Sequence, residues 1–370
     1  MTTALFLPYY ETNPYQDELA RGLDSAGVDV VAGEHTDPLP LAQAFREHGV
    51  PDVVHLHWAH SLFDARYRPV MFLLGCRLFV ELAVARLLGV DVVWTVHNRF
   101  HHERRTLGPE RLFRALLCRV SDAILVHGEG ARDAVVDAYR LPDHVASRVE
   151  VVPHGNYVDV YRNEVSRAEA RERLGVDPDA TVFLNVGNIR PYKNVPALVE
   201  TFGELEDDSL RLLVVGQPPT DEGRRERLER RCARDDRVRT VFEYVPESEL
   251  QLYLNAADAV VLPFEDVLTS GSVVLALSFG RPVVAPRLGC LPDTVGACDD
   301  LLYDPADPDG LERALERTRE VDLDVLGARS LARAERLDWE TIGRETASVY
   351  EEVRTSSVVP AGHAESAADQ

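Results

Sequence analysis

Lys193 is the only lysine in a chain of 370 residues that carries forty Lys and Arg. It stands in Val186-Gly187-Asn188-Ile189-Arg190-Pro191-Tyr192-Lys193-Asn194. An apolar run, 181–186, precedes the glycine and reads as a buried strand. An apolar-periodic run from Val195 follows and reads as a helix with Asn194 as its N-cap. A glycine at the end of a parallel strand, two cations and a helix start make a place to hold an anion. Arg is a wide planar fork, whereas Lys is a slim point charge that can enter a tight phosphate site. A single lysine kept in this turn, with arginine everywhere else, is therefore expected to bind phosphate rather than sit as a solvated surface charge. A second segment, Leu268-Thr269-Ser270-Gly271-Ser272-Val273, opens another expected helix. Its free N–H groups and hydroxyls form a second anion cradle, reinforced by the helix dipole. Arg190, Lys193, Ser270, Gly271 and Ser272 together are the expected diphosphate site.

A second group of polar residues falls at or beside strand ends in the first half of the chain. It includes Tyr9, Tyr10, His57, Trp58, His60, His97, Asn98, His101, His102, Glu103, His127 and Glu129. Seven of the twelve histidines lie between His55 and His127, and a rim of them suits a ligand rich in hydroxyls. His57, Trp58, His97 and Asn98 are thus the expected sugar or acceptor contacts, with His154 in a later turn and Glu265 in the second half. A base for an acceptor hydroxyl would come from Glu103, His102 or Asp64. His101-His102-Glu103 are adjacent on a loop and do not converge on one ion, so no metal is expected.

The elements that must position these residues alternate strand and helix through both halves. Strands are expected at 3–7, 28–32, 53–58, 91–97, 123–127 and near 149, then at 181–186, 211–215, 238–242, 259–262, 282–285 and 300–303. Such alternation means parallel sheets with helices on both faces, and ligands beyond the strands' carboxyl ends. The expected organisation is a Rossmann-like domain over 1–165, a second over 166–338, a closing helix at 339–354 and a disordered tail at 355–370. Residues 161–173 read as a charged helix.

The formal charge of −22 argues against nucleic-acid binding. Many acids with arginine in place of lysine resemble the proteins of salt-loving microbes. Five scattered cysteines fit no common zinc pattern and read as reduced thiols in a cytosol. The N-terminus lacks the basic region of a signal peptide, and no apolar run reaches membrane-spanning length. Residues 66–88 form an apolar helical stretch inside a segment, 60–119, with ten arginines and five acids. Two readings stand for it: a buried helix, or one lying on an anionic membrane surface at the cytoplasmic face.

The second half resembles the GT-B glycosyltransferases of family four, the group 1 type, which include sucrose synthases and bacterial mannosyltransferases. The resemblance rests on Val186-Gly-Asn-Ile-Arg-Pro-Tyr-Lys-Asn, Leu213-Val-Val-Gly216, Val241-Phe-Glu-Tyr-Val with Glu249-Leu250, Ala257-Asp-Ala-Val-Val-Leu-Pro, Gly280-Arg-Pro-Val-Val-Ala and the Trp339 helix, all in the family's order. Val152-Pro-His-Gly-Asn-Tyr and Thr95-Val-His-Asn fit more loosely. The resemblance implies two Rossmann-like domains facing a deep cleft, with the last helix crossing back to the first domain. It implies transfer of a sugar from a GDP- or UDP-sugar to an acceptor hydroxyl in glycolipid, glycan or surface polysaccharide synthesis, with no cofactor and no metal. By resemblance Lys193 binds the diphosphate, Gly187 and Gly216 border the nucleotide, and Phe242, Glu243, Tyr244 and Val245 lie against the base. Two departures stand out. Asn188 replaces the family's usual arginine after the motif glycine, with Arg190 two residues on. Val267 and Leu275 occupy the places of two glutamates. A nucleotide-sugar epimerase of the same fold and a non-catalytic nucleotide-sugar binder are the alternatives.

Overall fold

The computed structural model describes residues 1–11, 13–100 and 107–358. The chain forms two compact units. One comprises Met1–Val126, Val135–Val152 and Trp339–Gln370; the other comprises His127–Ala134 and Pro153–Asp338.

In the first unit the strands are β1 (Thr2–Leu7), β2 (Val28–Ala32), β3 (Val53–Leu56), β4 (Asp91–Thr95), β5 (Ala123–Val126) and β6 (Val149–Val151). They pair in parallel in the order β2-β1-β3-β4-β5-β6. Every residue of β3, β4 and β5 is buried, as a parallel sheet covered on both faces requires. The order reverses between β1 and β3, so the crevice at their carboxyl ends is the natural ligand position.

The last helix, Trp339–Val358, packs on the helix Pro14–Ser25 of this unit. Glycines set the closeness: a Cβ on Gly22 would lie 2.1 Å from the Trp339 carbonyl oxygen, and one on Gly343 would lie 2.1 Å from the Gly22 carbonyl carbon. The buried Tyr350 hydroxyl sits 2.5 Å from His55 Nδ1, and His55 Nε2 is 2.7 Å from Thr95 Oγ1. His55 is thus a core hydrogen-bonder. The helix runs through Val358, so 355–358, expected to be disordered, are helical; 359–370 lie outside the described residues.

In the second unit the strands are β7 (Thr181–Val186), β8 (Leu210–Val215), β9 (Val238–Val241), β10 (Ala259–Val261), β11 (Val283–Pro286) and β12 (Leu302–Tyr303). Their order is β12-β11-β10-β7-β8-β9, again parallel. Here the order reverses between β7 and β10. Separate apolar clusters fill the two faces, one around Leu184, Leu213 and Leu277, the other around Phe183, Leu212 and Phe202.

Two expectations are corrected and one helix is added. The boundary falls after Val152, not at 165, because the next segment packs on the second unit. The Tyr157 amide donates to Ser278 Oγ at 2.9 Å, the Asn156 amide donates to the Leu337 carbonyl at 2.8 Å, and Tyr161 lies against the core. The charged helix spans only Arg167–Leu174, because Ser166 caps it through the Glu169 amide. A further helix, Leu323–Glu335, is not among the expected elements: Asp322 caps it, but its buried face is mostly small, with Gly327, Ser330 and Ala334 beside Leu326, which weakens the apolar period.

Candidate functional site

Lys193 ends a short 3₁₀ turn, Pro191–Lys193, that follows β7. Asn194 then adopts left-handed backbone (φ 50°) and makes no side-chain cap, so it is a turn residue tolerant of that conformation rather than the expected N-cap. The turn aims Lys193 inward. The side chain is buried, and a Cβ on Gly187 would lie 3.0 Å from Lys193 Nζ and 3.7 Å from Ser272 Oγ. Gly187 itself has φ 106°, and a Cβ on Gly216 would lie 2.2 Å from the Gly187 carbonyl oxygen. Glycine is required at both positions: at one for the left-handed backbone beside the amine, at the other for close passage of the two strand ends.

Burial, and secondarily the charge of Arg190, pull the Lys193 pKa down from 10.5 to about 8. Among the described residues no carboxylate pairs with this buried ammonium, which is poised for an anion. Across the switch point, Ser270 caps the helix Gly271–Ser278 by accepting from the Val273 amide. The amides of Gly271 and Ser272 are left without an intrahelical acceptor. Lys193, Gly187 and Ser272 therefore converge, as expected for a phosphate cradle. Arg190 is half-buried and lines a cavity toward the helix Glu222–Cys232, together with the exposed Glu265. Phe242 and Val245 pack on the clusters of opposite faces of the sheet, while Glu243 and Tyr244 are exposed.

Two aromatic residues of this unit stand near the cradle. His154 donates from Nδ1 to the Gly155 carbonyl at 2.7 Å, and its Nε2 lies 3.5 Å from the Tyr157 hydroxyl. Burial and the neighbouring His127 pull its pKa down to about 3, so the ring is neutral at ordinary pH. A Cβ on Gly271 would lie 3.4 Å from the Tyr157 hydroxyl. Tyr157 was not among the expected site residues; its proximity to the Gly271 turn is a long-range contact that spacing does not show. His127, expected in one rim with the other histidines, is grouped with His154 instead, 5.4 Å between ring centroids.

In the first unit, β3 and β4 deliver His57 and His97 side by side, with Nδ1 and Nε2 at 3.2 Å. Trp58 stacks on His97 at 4.1 Å and 11°, and it holds a left-handed backbone (φ 39°). Such a conformation on a bulky residue is costly and concentrates at functional positions. Tyr10 and Tyr15 close on the same rings. The group stands at the carboxyl ends of β3 and β4, where His57, Trp58 and His97 are expected at strand ends. Asn98 is half-buried beside it, and its carbonyl accepts from Arg114. Asp64 is exposed on the chain leading to the helix Arg68–Leu87. His102 and Glu103 lie outside the described residues.

Residues 180–320 match the family model of the group 1 glycosyl transferases. This segment belongs to the group 1 glycosyltransferases. A GDP-mannose:glycolipid 4-beta-D-mannosyltransferase of Xanthomonas campestris is 31% identical over 237 residues, 64% of this chain and 61% of that protein. The chain thus spans about 61% of the length of this curated relative. A D-inositol 3-phosphate glycosyltransferase of Frankia alni is 28% identical over 385 residues, 94% of this chain and 88% of that one. HepE of Anabaena, solved in complex with UDP-glucose, aligns with TM-score 0.72 and 15% identity over 95% of this chain and 100% of that one. The two six-stranded units are those of the GT-B fold.

Within this segment, Val267 and Leu275 are half-buried and pack on the core, so the two positions expected to differ from glutamate serve packing. The helix Arg68–Leu87 shows another departure from a plain surface helix. Its inner face is buried through Met71, Gly75, Leu78 and Leu82. Gly75 admits the Phe113 ring of the helix Leu107–Val120, which a Cβ would meet at 2.4 Å. Its outer stripe is also apolar: Leu73 (69% exposed), Val80, Val84 and Leu87 (87%), with Phe72 beside it. Leu112 and Leu116 on the neighbouring helix are exposed too. Among the described residues no helix is long and apolar enough to cross a membrane.

Proposed function

We propose that this protein transfers a sugar from a nucleoside diphosphate sugar to a hydroxyl of a glycan or lipid-linked acceptor, without a divalent metal. The buried Lys193 beside Gly187 and Ser272, at the β7/β10 reversal, carries this reading. Breaking the sugar–phosphate bond leaves negative charge on the diphosphate. Lys193 and the amides of Gly271 and Ser272 would stabilise that charge more in the transition state than before it. Trp58, with His97 stacked behind it, would bind acceptor, and Asp64, His102 or Glu103 would take its proton. Similarity to a relative named for GDP-mannose supports testing GDP-sugars first as donors, with UDP-sugars next. Calorimetric titration of GDP and UDP into wild type and Lys193→Met tests the site. One nucleotide should bind wild type and bind the variant at least tenfold more weakly. Equal binding to both proteins would overturn the reading. EDTA should leave the rate of sugar transfer unchanged.

The absence of carboxylates at Val267 and Leu275 favours a second reading, a nucleotide-sugar binder without turnover. Slow release of nucleoside diphosphate from the donor in water would exclude it.

The exposed stripe on Arg68–Leu87 extends the proposal to a surface. We infer that it rests on an anionic membrane at its cytoplasmic face, bringing the enzyme to a lipid-linked acceptor. Contiguous exposed apolar surface of this kind marks interaction sites. Arg66, Arg68, Arg111 and Arg119 accompany it without an ion pair among the described residues, in a chain of net −22. A second copy would bring these arginines against their own likes, whereas anionic lipid neutralises them. Vesicles rich in phosphatidylglycerol should sediment wild type at low salt; wild type left in the supernatant would overturn the inference.

A further inference from the structure

The helix Glu222–Cys232 carries five arginines and sorts them onto different faces. Arg225 and Arg230 pair with Glu229 and Glu226 of the same helix, at 2.8 and 3.3 Å. Arg224, Arg227 and Arg231, spaced i, i+3 and i+7, share another face. That face lines a cavity of about 370 Å³, together with Arg190 and Asn194 of the β7 turn and Glu265. Arg231 is engaged by Glu200 at 2.6 Å. Arg190, Arg224 and Arg227 make no ion pair or side-chain hydrogen bond among the described residues. In a protein with sixty-two acids, three guanidinium groups have been left facing one cavity with a single carboxylate in its wall.

Like charges held around one concave volume repel one another and raise the local potential. An anion relieves that repulsion, and guanidinium forks match phosphate and carboxylate oxygens two at a time. Gly187, Lys193 and Ser272 do not line this cavity, so it is separate from the phosphate cradle. We infer that the cavity is a second anion site of the same domain, taking a phosphate- or carboxylate-bearing group of at least two charges. Arg190 then serves this site through its side chain, leaving Lys193 as the cation of the cradle. The group could come from a free phosphorylated compound or from a charged end of the donor itself.

Inorganic pyrophosphate is the probe, titrated by calorimetry in low-chloride buffer into the full chain. Lys193→Met should keep a pyrophosphate site, and adding Arg224→Gln and Arg227→Gln should weaken it at least tenfold. The two arginines are exposed, so a matching melting temperature would show an intact fold. Wild type saturated with GDP or UDP separates the sources. A surviving site that the two glutamines remove assigns it to a free anion; a site seen only without nucleotide assigns it to the donor's charged end. Pyrophosphate heats absent from Lys193→Met, or unchanged by the two glutamines, would overturn the inference, whether or not the nucleotide binds at Lys193.

Discussion

Burying Lys193 destabilises the empty protein. The lowering of its pKa from 10.5 to about 8 corresponds to about 3 kcal/mol of lost charge solvation. Between those two values the folded state holds fewer protons than the unfolded one, so stability rises with pH there. Below pH 8 the penalty is fully present. Lys193→Met should therefore raise the melting temperature at pH 7, and its advantage should shrink as the pH is raised toward 10.5, measured by calorimetric scans. A bound diphosphate reverses the desolvation and restores the proton. Nucleotide affinity should fall as the pH rises above 8, with proton uptake visible when titrations at pH 8.5 are compared in buffers of different ionisation enthalpy. The same lysine was the most legible residue in the sequence, since a lone slim cation at a strand end has a direct chemical reading. Tyr157 was not legible, because only the folded chain brings its hydroxyl to Gly271. Arg190 is expected at the diphosphate and lines the cavity beside the helix Glu222–Cys232, and two-residue spacing does not fix direction once the strand has ended in a turn.

Elements meet where glycine permits it. Gly22 and Gly343 let the first and last helices of the first unit touch backbone to backbone. Gly22→Leu should cost several kcal/mol, because a Cβ 2.1 Å from a carbonyl oxygen has nowhere to go. Denaturant unfolding monitored by tryptophan fluorescence, with Trp339 at that contact, would read the loss. The outer stripe of Arg68–Leu87 makes the opposite prediction. Leu73→Glu with Val80→Glu should leave the unfolding free energy within about 1 kcal/mol of wild type, as surface changes do, while abolishing vesicle sedimentation. Strands and most helices were readable from the alternation of periods, since a parallel sheet writes continuous apolar runs. The two faces of Arg68–Leu87 were not separable, because both are apolar and periodicity distinguishes only unlike faces.

At the scale of the whole chain, excess negative charge sets the medium. A net −22 repels itself, and about 1 M salt shortens the screening length to about 3 Å. Melting temperature and activity should both rise from dilute buffer to molar potassium chloride; full stability in dilute buffer would remove the salt-adapted reading. The two-unit architecture was visible in the repeated alternation. The point of division was not. Composition around 161–173 looks exposed and charged, while the preceding segment, Pro153 to Tyr161, is tied to the second unit by individual contacts from Asn156 and Tyr157 that no local pattern announces.

A protease that cuts only after lysine has one bond to attack within this chain, Lys193–Asn194. That bond is held in the turn beside the phosphate cradle, with Lys193 buried, so cleavage must wait for the turn to open. Digestion would then yield two fragments and nothing smaller. Its rate would be a direct clock for the opening of this turn, slowed by any ligand that closes on the amine.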